Sequence, residues 1–379
     1  MRNKVLIVST YAGIPRVRKF AQTLSPKYDV TIYEWDRNNE LSKYEILDGV
    51  KIVRFCKKAP VGLGLARLYP SWAFSLIWFS LRYRFDIIIP QNLDTLYPTW
   101  LIAKLRRVKV LYDIADFFSE AYIPSKFVSL RRIAAWIERF LIRRVDATII
   151  VDPARLEQLG NVENKPIVVI YNSPTDRPDL AKDKLHIEKE GLFNIFYGGI
   201  ISPDRGLFML VDIVQSLTNV KLVVAGFGEK EKEFRSYVEG KSNILFLGKV
   251  THDRVVELTN SSDCVVALYD PSIPNNVFAS PNKVFEAMMC GKPLIVSAGS
   301  SMSKMITEEE CGIVVDYGNP VEISMAIQTL ESDPTLVRKL GQNARKAYIN
   351  KYNWELMRKR LCDLADTVSN LGPTIKNPK

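Results

Sequence analysis

Ser280, Asn282, Lys283 and Glu286, residue types able to meet a phosphorylated ligand, are spaced within ASPNKVFEAMMCGKPLIVS, residues 279–297. The Ser-Pro pair precedes a helical stretch, and Pro281 suits its first helical position. Backbone N–H groups at such a start lack partners and the helix dipole is positive there, so the turn can hold a diphosphate. Lys283 would add a point charge. Glu286 lies one turn beyond Asn282 and points the same way. A carboxylate there can accept from both hydroxyls of a ribose, as acidic residues do in dinucleotide sites. The same run, taken alone, also reads as a well-made helix cap.

The elements that would position these residues alternate between strand and helix. Lys4–Ser9 is a continuous apolar strand, PRVRKFAQTL follows as a helix, and Asp29–Tyr33 is the next strand. Asp86–Pro90, Val108–Tyr112 and Ala147–Val151 are further short apolar runs. A Pro-rich and charged break, SPTDRPDLAKDKLHIEKEG, reads as a linker over residues 173–191. A second series then runs through Phe193–Tyr197, Lys221–Ala225, Ile244–Leu247, Cys264–Leu268, Leu294–Val296 and Ile313–Val315. Such alternation implies α/β architecture with parallel, doubly wound sheets. Residues 126–144 show the helical period, with Leu130, Ile133, Ile137 and Phe140/Leu141 as an expected packed stripe. Arg132, Arg139 and Arg143 fall opposite, on a solvated or membrane-facing surface.

The 379 residues, 47% hydrophobic and 25% charged, suit two soluble domains of ordinary size. The opening MRNKVLIVST has too short an apolar run for a signal peptide and reads as a first buried strand. Cys56, Cys264, Cys290, Cys311 and Cys362 are scattered, with no CxxC pair, as expected of reduced thiols in a cytosolic protein without a structural zinc. The net charge of +10 is unevenly placed: residues 1–172 hold 27 Lys+Arg against 16 Asp+Glu, and the remainder 25 against 26. The first half therefore faces something anionic, or is merely a basic soluble face. No nucleic-acid module is recognisable, which favours a membrane surface or lipid-linked partner. The uncharged stretch Leu68–Leu81, with Arg82 and Arg84 behind it, is too short to span a bilayer. It reads as an interfacial segment with aromatic anchors or as a core helix.

The 279–297 segment resembles the nucleotide-sugar signature of family 4 retaining glycosyltransferases, in the subgroup with an SPNK–x2–EAM–x2–GKP pattern. FYGGIISPDRG (196–206), KLVVAGFG (221–228), ILFLGKVTHDRVVELTNSSDCVVALY (244–269), CGIVVDYGNPVEISMAI and NKYNWELM are similar to its donor-domain segments. PRVRKFAQTL, QNLDTL, VLYDIADFFSEAY and VDATIIVDPARLEQLG resemble the acceptor domain. The resemblance implies a GT-B fold, two facing Rossmann-like domains with an inter-domain cleft. Its expected parts are an N-terminal acceptor-side domain (1–172), the linker, a C-terminal donor domain (192–350) and a helix (351–370) crossing back to the first domain. It also implies a nucleoside-diphosphate sugar as co-substrate, with no other cofactor and no bound metal; Asp113-x-x-Asp116 is a poor metal motif. A glycan or lipid-linked acceptor is implied, met in the cytoplasm or at the inner face of the cell membrane.

Roles follow position by position. Arg205, before Gly206, stands where the family has a basic residue on the donor diphosphate, and a guanidinium fork suits two phosphate oxygens. Gly198 and Gly199 would let backbone approach the phosphates, with Gly226 in the following Gly-x-Gly turn. Ser280, Pro281, Asn282 and Lys283 form the phosphate loop, and Glu286 holds the ribose. Gly13 falls in the first strand-to-helix turn, where donor phosphates or acceptor enter. Arg16 and Arg18 would hold an acceptor phosphate or be solvated helix charges. The sequence departs from the family at Phe278, which replaces an earlier glutamate, at Ile200, which replaces an arginine, and at Ala115, where the subgroup has a histidine on the transferring sugar. Asp116 or Asp94 would supply that contact. The competing readings are a sugar-nucleotide epimerase of the same shape and a non-catalytic relative that binds a nucleotide sugar.

Overall fold

A computed structural model describes residues 2–59, 63–160, 162, 165–181 and 191–370. The chain divides into two compact units, Met1–Ile170 with Met357–Lys379, and Tyr171–Leu356.

The first unit is built on eight strands: β1 (Lys4–Ser9), β2 (Asp29–Asp36), β3 (Tyr44–Leu47), β4 (Val50–Cys56), β5 (Ile87–Pro90), β6 (Lys109–Ile114), β7 (Ala147–Ile150) and β8 (Ile167–Val169). Their order is β3-β4-β2-β1-β5-β6-β7-β8. Every pairing is parallel except the edge hairpin β3–β4. The runs Val5–Val8 and Ile87–Ile89 are buried because the parallel sheet is covered on both faces. The stretch Leu68–Leu81 lies inside the helix Leu63–Arg82, which turns Trp72 and Leu76 into the core and leaves Phe74 and Trp78 exposed.

The helix Val128–Ile142 corrects the expected packing. Its buried residues are Ala134, Glu138, Leu141 and Ile142, whereas Leu130 and Ile133 face out. Glu138 is drawn inward because its carboxylate accepts from the Tyr112 hydroxyl at 2.6 Å and the Phe118 amide at 3.1 Å. The stripe is therefore kept in its second half, where Ile137, Phe140 and Leu141 pack on the core, and lost in its first.

The second unit holds a wholly parallel sheet of six strands: β9 (Phe193–Ile200), β10 (Val220–Phe227), β11 (Ile244–Phe246), β12 (Cys264–Ala267), β13 (Leu294–Ser297) and β14 (Gly312–Val315). The order is β11-β10-β9-β12-β13-β14. The start of the expected linker is anchored here: Arg345 pairs with Asp176 at 2.7 Å and the Tyr348 hydroxyl donates to the Pro174 carbonyl at 3.1 Å. Residues 182–190, including His186, lie outside the described residues. The last helix, Trp354–Asn370, runs from the second unit into the first. Its Asp366 accepts from Lys27 at 2.6 Å and from the Tyr28 hydroxyl at 2.5 Å.

Candidate active site

In an open parallel sheet the chain reverses direction across the sheet at one point, and the loops there part to leave a crevice at the carboxyl ends of the strands. In the second unit that point falls between β9 and β12. Tyr197 sits near the end of β9 and Tyr269 just beyond β12. Arg205 follows β9 in the turn Pro203–Arg205, and the helix Asn282–Met289 lies between β12 and β13.

Lys283 is the centre of this arrangement. Its side chain is 7% exposed, and its ammonium lies 3.8 Å from the centroid of the Tyr197 ring and 5.6 Å from that of Tyr269. The aromatic faces offer a partial counter-charge, yet the ammonium has no hydrogen-bond acceptor. Burial, joined by the positive Arg205 and opposed by Glu286, brings Lys283 down to about 7. Gly199 is glycine for this reason. Its φ is +148°, and a Cβ there would stand 3.0 Å from the lysine nitrogen. The Ser280 hydroxyl, also buried, lacks a partner too.

Arg205 is held in place rather than free to swing. Its guanidinium pairs with Asp204 at 2.7 Å, donates to the Asn276 side-chain carbonyl at 2.8 Å and stacks 3.8 Å over the Tyr269 ring. Asn276 in turn donates to Asp204 at 2.9 Å. Glu286 is 4% exposed, with the exposed His252 ring nitrogen 3.5 Å from its carboxylate. The structure therefore brings Arg205 and Glu286 within electrostatic reach of Lys283, with Ser280 just before the same helix.

Three sequence expectations shift. Pro281 is the N-cap and not the first helical residue, with φ −76° and ψ 141°. Asn282 is exposed, so the inward pair on this helix is Lys283 and Glu286. Gly198 and Gly226 serve packing: a Cβ on Gly198 would meet the Phe196 ring at 2.9 Å, and one on Gly226 would fall 2.1 Å from the Gly199 carbonyl oxygen. Tyr197, Tyr269 and Asn276 were not singled out from sequence. A strand ending in tyrosine directly before Gly198–Gly199 is the one local signal that points to the first of them.

The first unit reverses between β1 and β5. There the Thr10 hydroxyl donates to Asp94 at 2.5 Å, and the Ser9 hydroxyl to Gln91 at 3.3 Å. Burial pushes the Asp94 carboxyl up, against the Thr10 hydrogen bond and the positive Arg37. Gly13, with φ +77°, donates its amide to Glu34 at 3.2 Å. Asn92 holds a left-handed φ of 62°, and its side-chain carbonyl accepts from the amides of Ala115 and Asp116 at 3.1 and 3.2 Å. Asp116 itself is half-buried and accepts from the buried Arg155 at 3.3 Å.

Arg16 and Arg18 are both held by carboxylates, although one terminal nitrogen of Arg18 is buried without a hydrogen bond. Arg16 is buried, binds Asp113 through both Nε and a terminal nitrogen (2.7–3.1 Å), and donates to the Ile170 carbonyl at 2.9 Å. Arg18 pairs with Glu34 at 2.7 Å, a carboxylate shared with Arg54. Among the described residues no group of three or more His, Cys, Asp or Glu is placed to hold a metal ion.

Both halves of the chain resemble known proteins. Residues 16–173 match Glycosyltransferase Family 4, and residues 179–347 match Glycosyl transferases group 1. The phosphatidyl-myo-inositol mannosyltransferase of Mycobacterium leprae is 24% identical over 247 residues, 64% of this chain and 63% of its own. Sucrose-phosphate synthase from Thermosynechococcus elongatus superposes with a TM-score of 0.79 at 16% identity, over 97% of this chain and 99% of that one. Anabaena HepE in complex with UDP and glucose gives 0.74 at 16% identity, over 98% and 100%. The chain spans about half the length of the curated relatives it matches. It belongs to glycosyltransferase family 4 and has the GT-B fold.

Proposed function

We propose that this chain is a retaining glycosyltransferase that takes a sugar from a nucleoside diphosphate and passes it to a cell-surface glycan or a lipid-linked acceptor. The observation that carries the reading is the buried Lys283 ammonium without an acceptor, beside Arg205 at the sheet's reversal point. A group left in that state costs stability unless a ligand completes it. A diphosphate supplies the missing acceptor oxygens, and the helix start adds N–H donors. Glu286 would accept from the ribose hydroxyls. UDP in the HepE complex and the inositol lipid in the name of the mycobacterial relative are the chemistry of those proteins; they support a nucleotide donor and a membrane-side acceptor here.

The work left to the chain is positioning and electrostatics. As the sugar–phosphate bond breaks, charge grows on the diphosphate, where Arg205 and Lys283 are already in place and need no reorganisation. The departing phosphate oxygen takes the acceptor's proton on the face it leaves, which retains configuration, and no metal is required. Asp116 or Asp94 would orient the acceptor or the sugar.

Incubation with labelled nucleotide sugars and a membrane extract tests the reading. Lipid- or glycan-bound label supports it; free isomerised sugar identifies an epimerase, and donor binding without turnover a non-catalytic relative. Arg205→Ala and Glu286→Ala should each lower kcat/KM by about 2–4 kcal/mol equivalents. A fully active Glu286→Ala enzyme refutes the site.

A further inference from the structure

Three helices cover one face of the first unit's sheet. The connections β4→β5, β5→β6 and β6→β7 all step across the sheet in the same direction. Right-handed crossovers then place the helices Leu63–Arg82, Asn92–Arg106 and Val128–Ile142 side by side on one face. The first packs on the second and the second on the third. Their inner sides are accounted for by Trp72, Leu76, Ile102, Leu141 and Ile142 in the core.

Their outer sides are apolar to a degree that solvent does not explain. Phe74, Trp78 and Leu81 follow each other at helical spacing on the first helix, the first two 69% and 62% exposed. Leu105 on the second is 72% exposed, and Trp136 on the third 65%, with Leu130 and Ile133 exposed beside it. Single exposed apolar residues are ordinary, but a series on three adjacent helices marks a surface that meets something.

The charge on this layer is of one sign. Arg67, Arg82, Lys104, Arg106, Arg132 and Arg143 are exposed on or at the ends of the three helices. The helices carry only two acids, Asp94 and Glu138. Asp94 is bound by Thr10, and Glu138 is wholly buried against Tyr112 and Phe118. The exposed acid at the margin, Asp86, accepts from the Lys4 amide at 2.7 Å. A protein partner would be expected to meet some carboxylates of its own kind on such a face; a bilayer with anionic headgroups asks for their absence.

We propose that this layer is a docking face for an anionic lipid surface, with Trp78 and Trp136 entering the headgroup region and the basic side chains ringing them. No described helix is long and apolar enough to cross a membrane, so the contact lies on the bilayer and does not span it. Aromatic rings favour that depth because their faces are apolar and their edges polar. The proposal extends the acceptor side of the function proposed above by naming the surface that would bring the chain to a lipid-borne substrate.

Vesicle flotation of the full chain, without any nucleotide sugar, tests it separately from donor turnover. Binding is expected to vesicles of mixed phosphatidylcholine and phosphatidylglycerol, not to phosphatidylcholine alone, and to weaken as salt rises. Trp78→Glu with Trp136→Glu should lower partition by about tenfold or more. Both side chains are exposed, so the melting temperature should hold, and the variant should still bind a nucleoside diphosphate. Equal binding by the double variant, or no binding by the native chain, overturns the proposal. A concentration-dependent dimer that the double variant abolishes overturns it as well, because the face would then belong to a second copy.

Discussion

The two sheets reverse at equivalent places, between β1 and β5 in the first unit and between β9 and β12 in the second, yet they treat buried charge in opposite ways. Around the first reversal, Arg16 is closed by Asp113, and Arg18 and Arg54 share Glu34. Around the second, Lys283 is buried against aromatic rings without a hydrogen-bond acceptor, with Arg205 and Glu286 acting on it only through their charges. A parallel sheet offers the same crevice to both, so position alone does not make a ligand site. What distinguishes them is the ion pair: Arg16 and Arg18 each meet a carboxylate, although one terminal nitrogen of Arg18 stays buried without a hydrogen bond, whereas the Lys283 ammonium has no hydrogen-bond acceptor at all. A paired charge holds the fold together, and an unpaired one is the proposed place for a ligand.

The largest expected effect tests the first half of that contrast. Arg16→Met leaves Asp113 buried with its main partner gone, which costs about 3–5 kcal/mol for a pair of this kind. Urea denaturation should show the loss. If stability changed by less than about 1 kcal/mol, the pair would not be the structural lock described, and Arg16 would again be open to an acceptor role.

Lys283→Met makes the opposite prediction, and a smaller one. Removing a buried amine without an acceptor should raise stability by about 1–3 kcal/mol while abolishing donor binding. The gain should depend on pH in a fixed direction. The folded lysine titrates at about 7 and the unfolded one at 10.5, so between those values the unfolded chain holds more proton. Native stability therefore rises with pH across that window, and below about 7 the full cost of burying the charge stands. The difference between native chain and Lys283→Met, measured by denaturation from pH 6 to pH 9, should shrink as pH rises. A constant difference would mean that Lys283 is not buried as a free amine.

The same contrast explains what could be read from the chain beforehand. The strand Lys4–Ser9 and the helix Pro15–Leu24 are found with the bounds read from their patterns, because a continuous apolar run and a 3.6-residue period are local signals. The hairpin strands β3 and β4 leave no such signal, since Glu45, Lys51 and Arg54 interrupt their apolar pattern. Arg16 read as a helix-surface charge because its partner lies 97 residues away on β6. The period of Val128–Ile142 is legible but the facing of its first half is not, since Glu138 is pulled inward by Tyr112 on β6. Ser280, Lys283 and Glu286 stood out because their chemistry is packed into one helix start. The tyrosines that enclose Lys283 come from β9 and from the segment after β12, far from it in sequence, and only Tyr197, before Gly198–Gly199, carries a local mark.

The smallest effect is also the sharpest test of the ligand's charge. A nucleoside diphosphate placed against Lys283 restores its acceptors and favours the ammonium, so binding above pH 7 must draw in a proton. Affinity should then fall with rising pH between about 7 and 10, by at most about tenfold per unit because one proton is taken up. Titration calorimetry with UDP or GDP in two buffers of different ionisation heat should show uptake of up to one proton at pH 8 and almost none at pH 6. Lys283→Arg should bind, if at all, without this dependence, since a guanidinium stays charged throughout the range. Proton uptake that persisted in Lys283→Arg would move the titrating group elsewhere, and the contrast between the two crevices would lose its chemical basis.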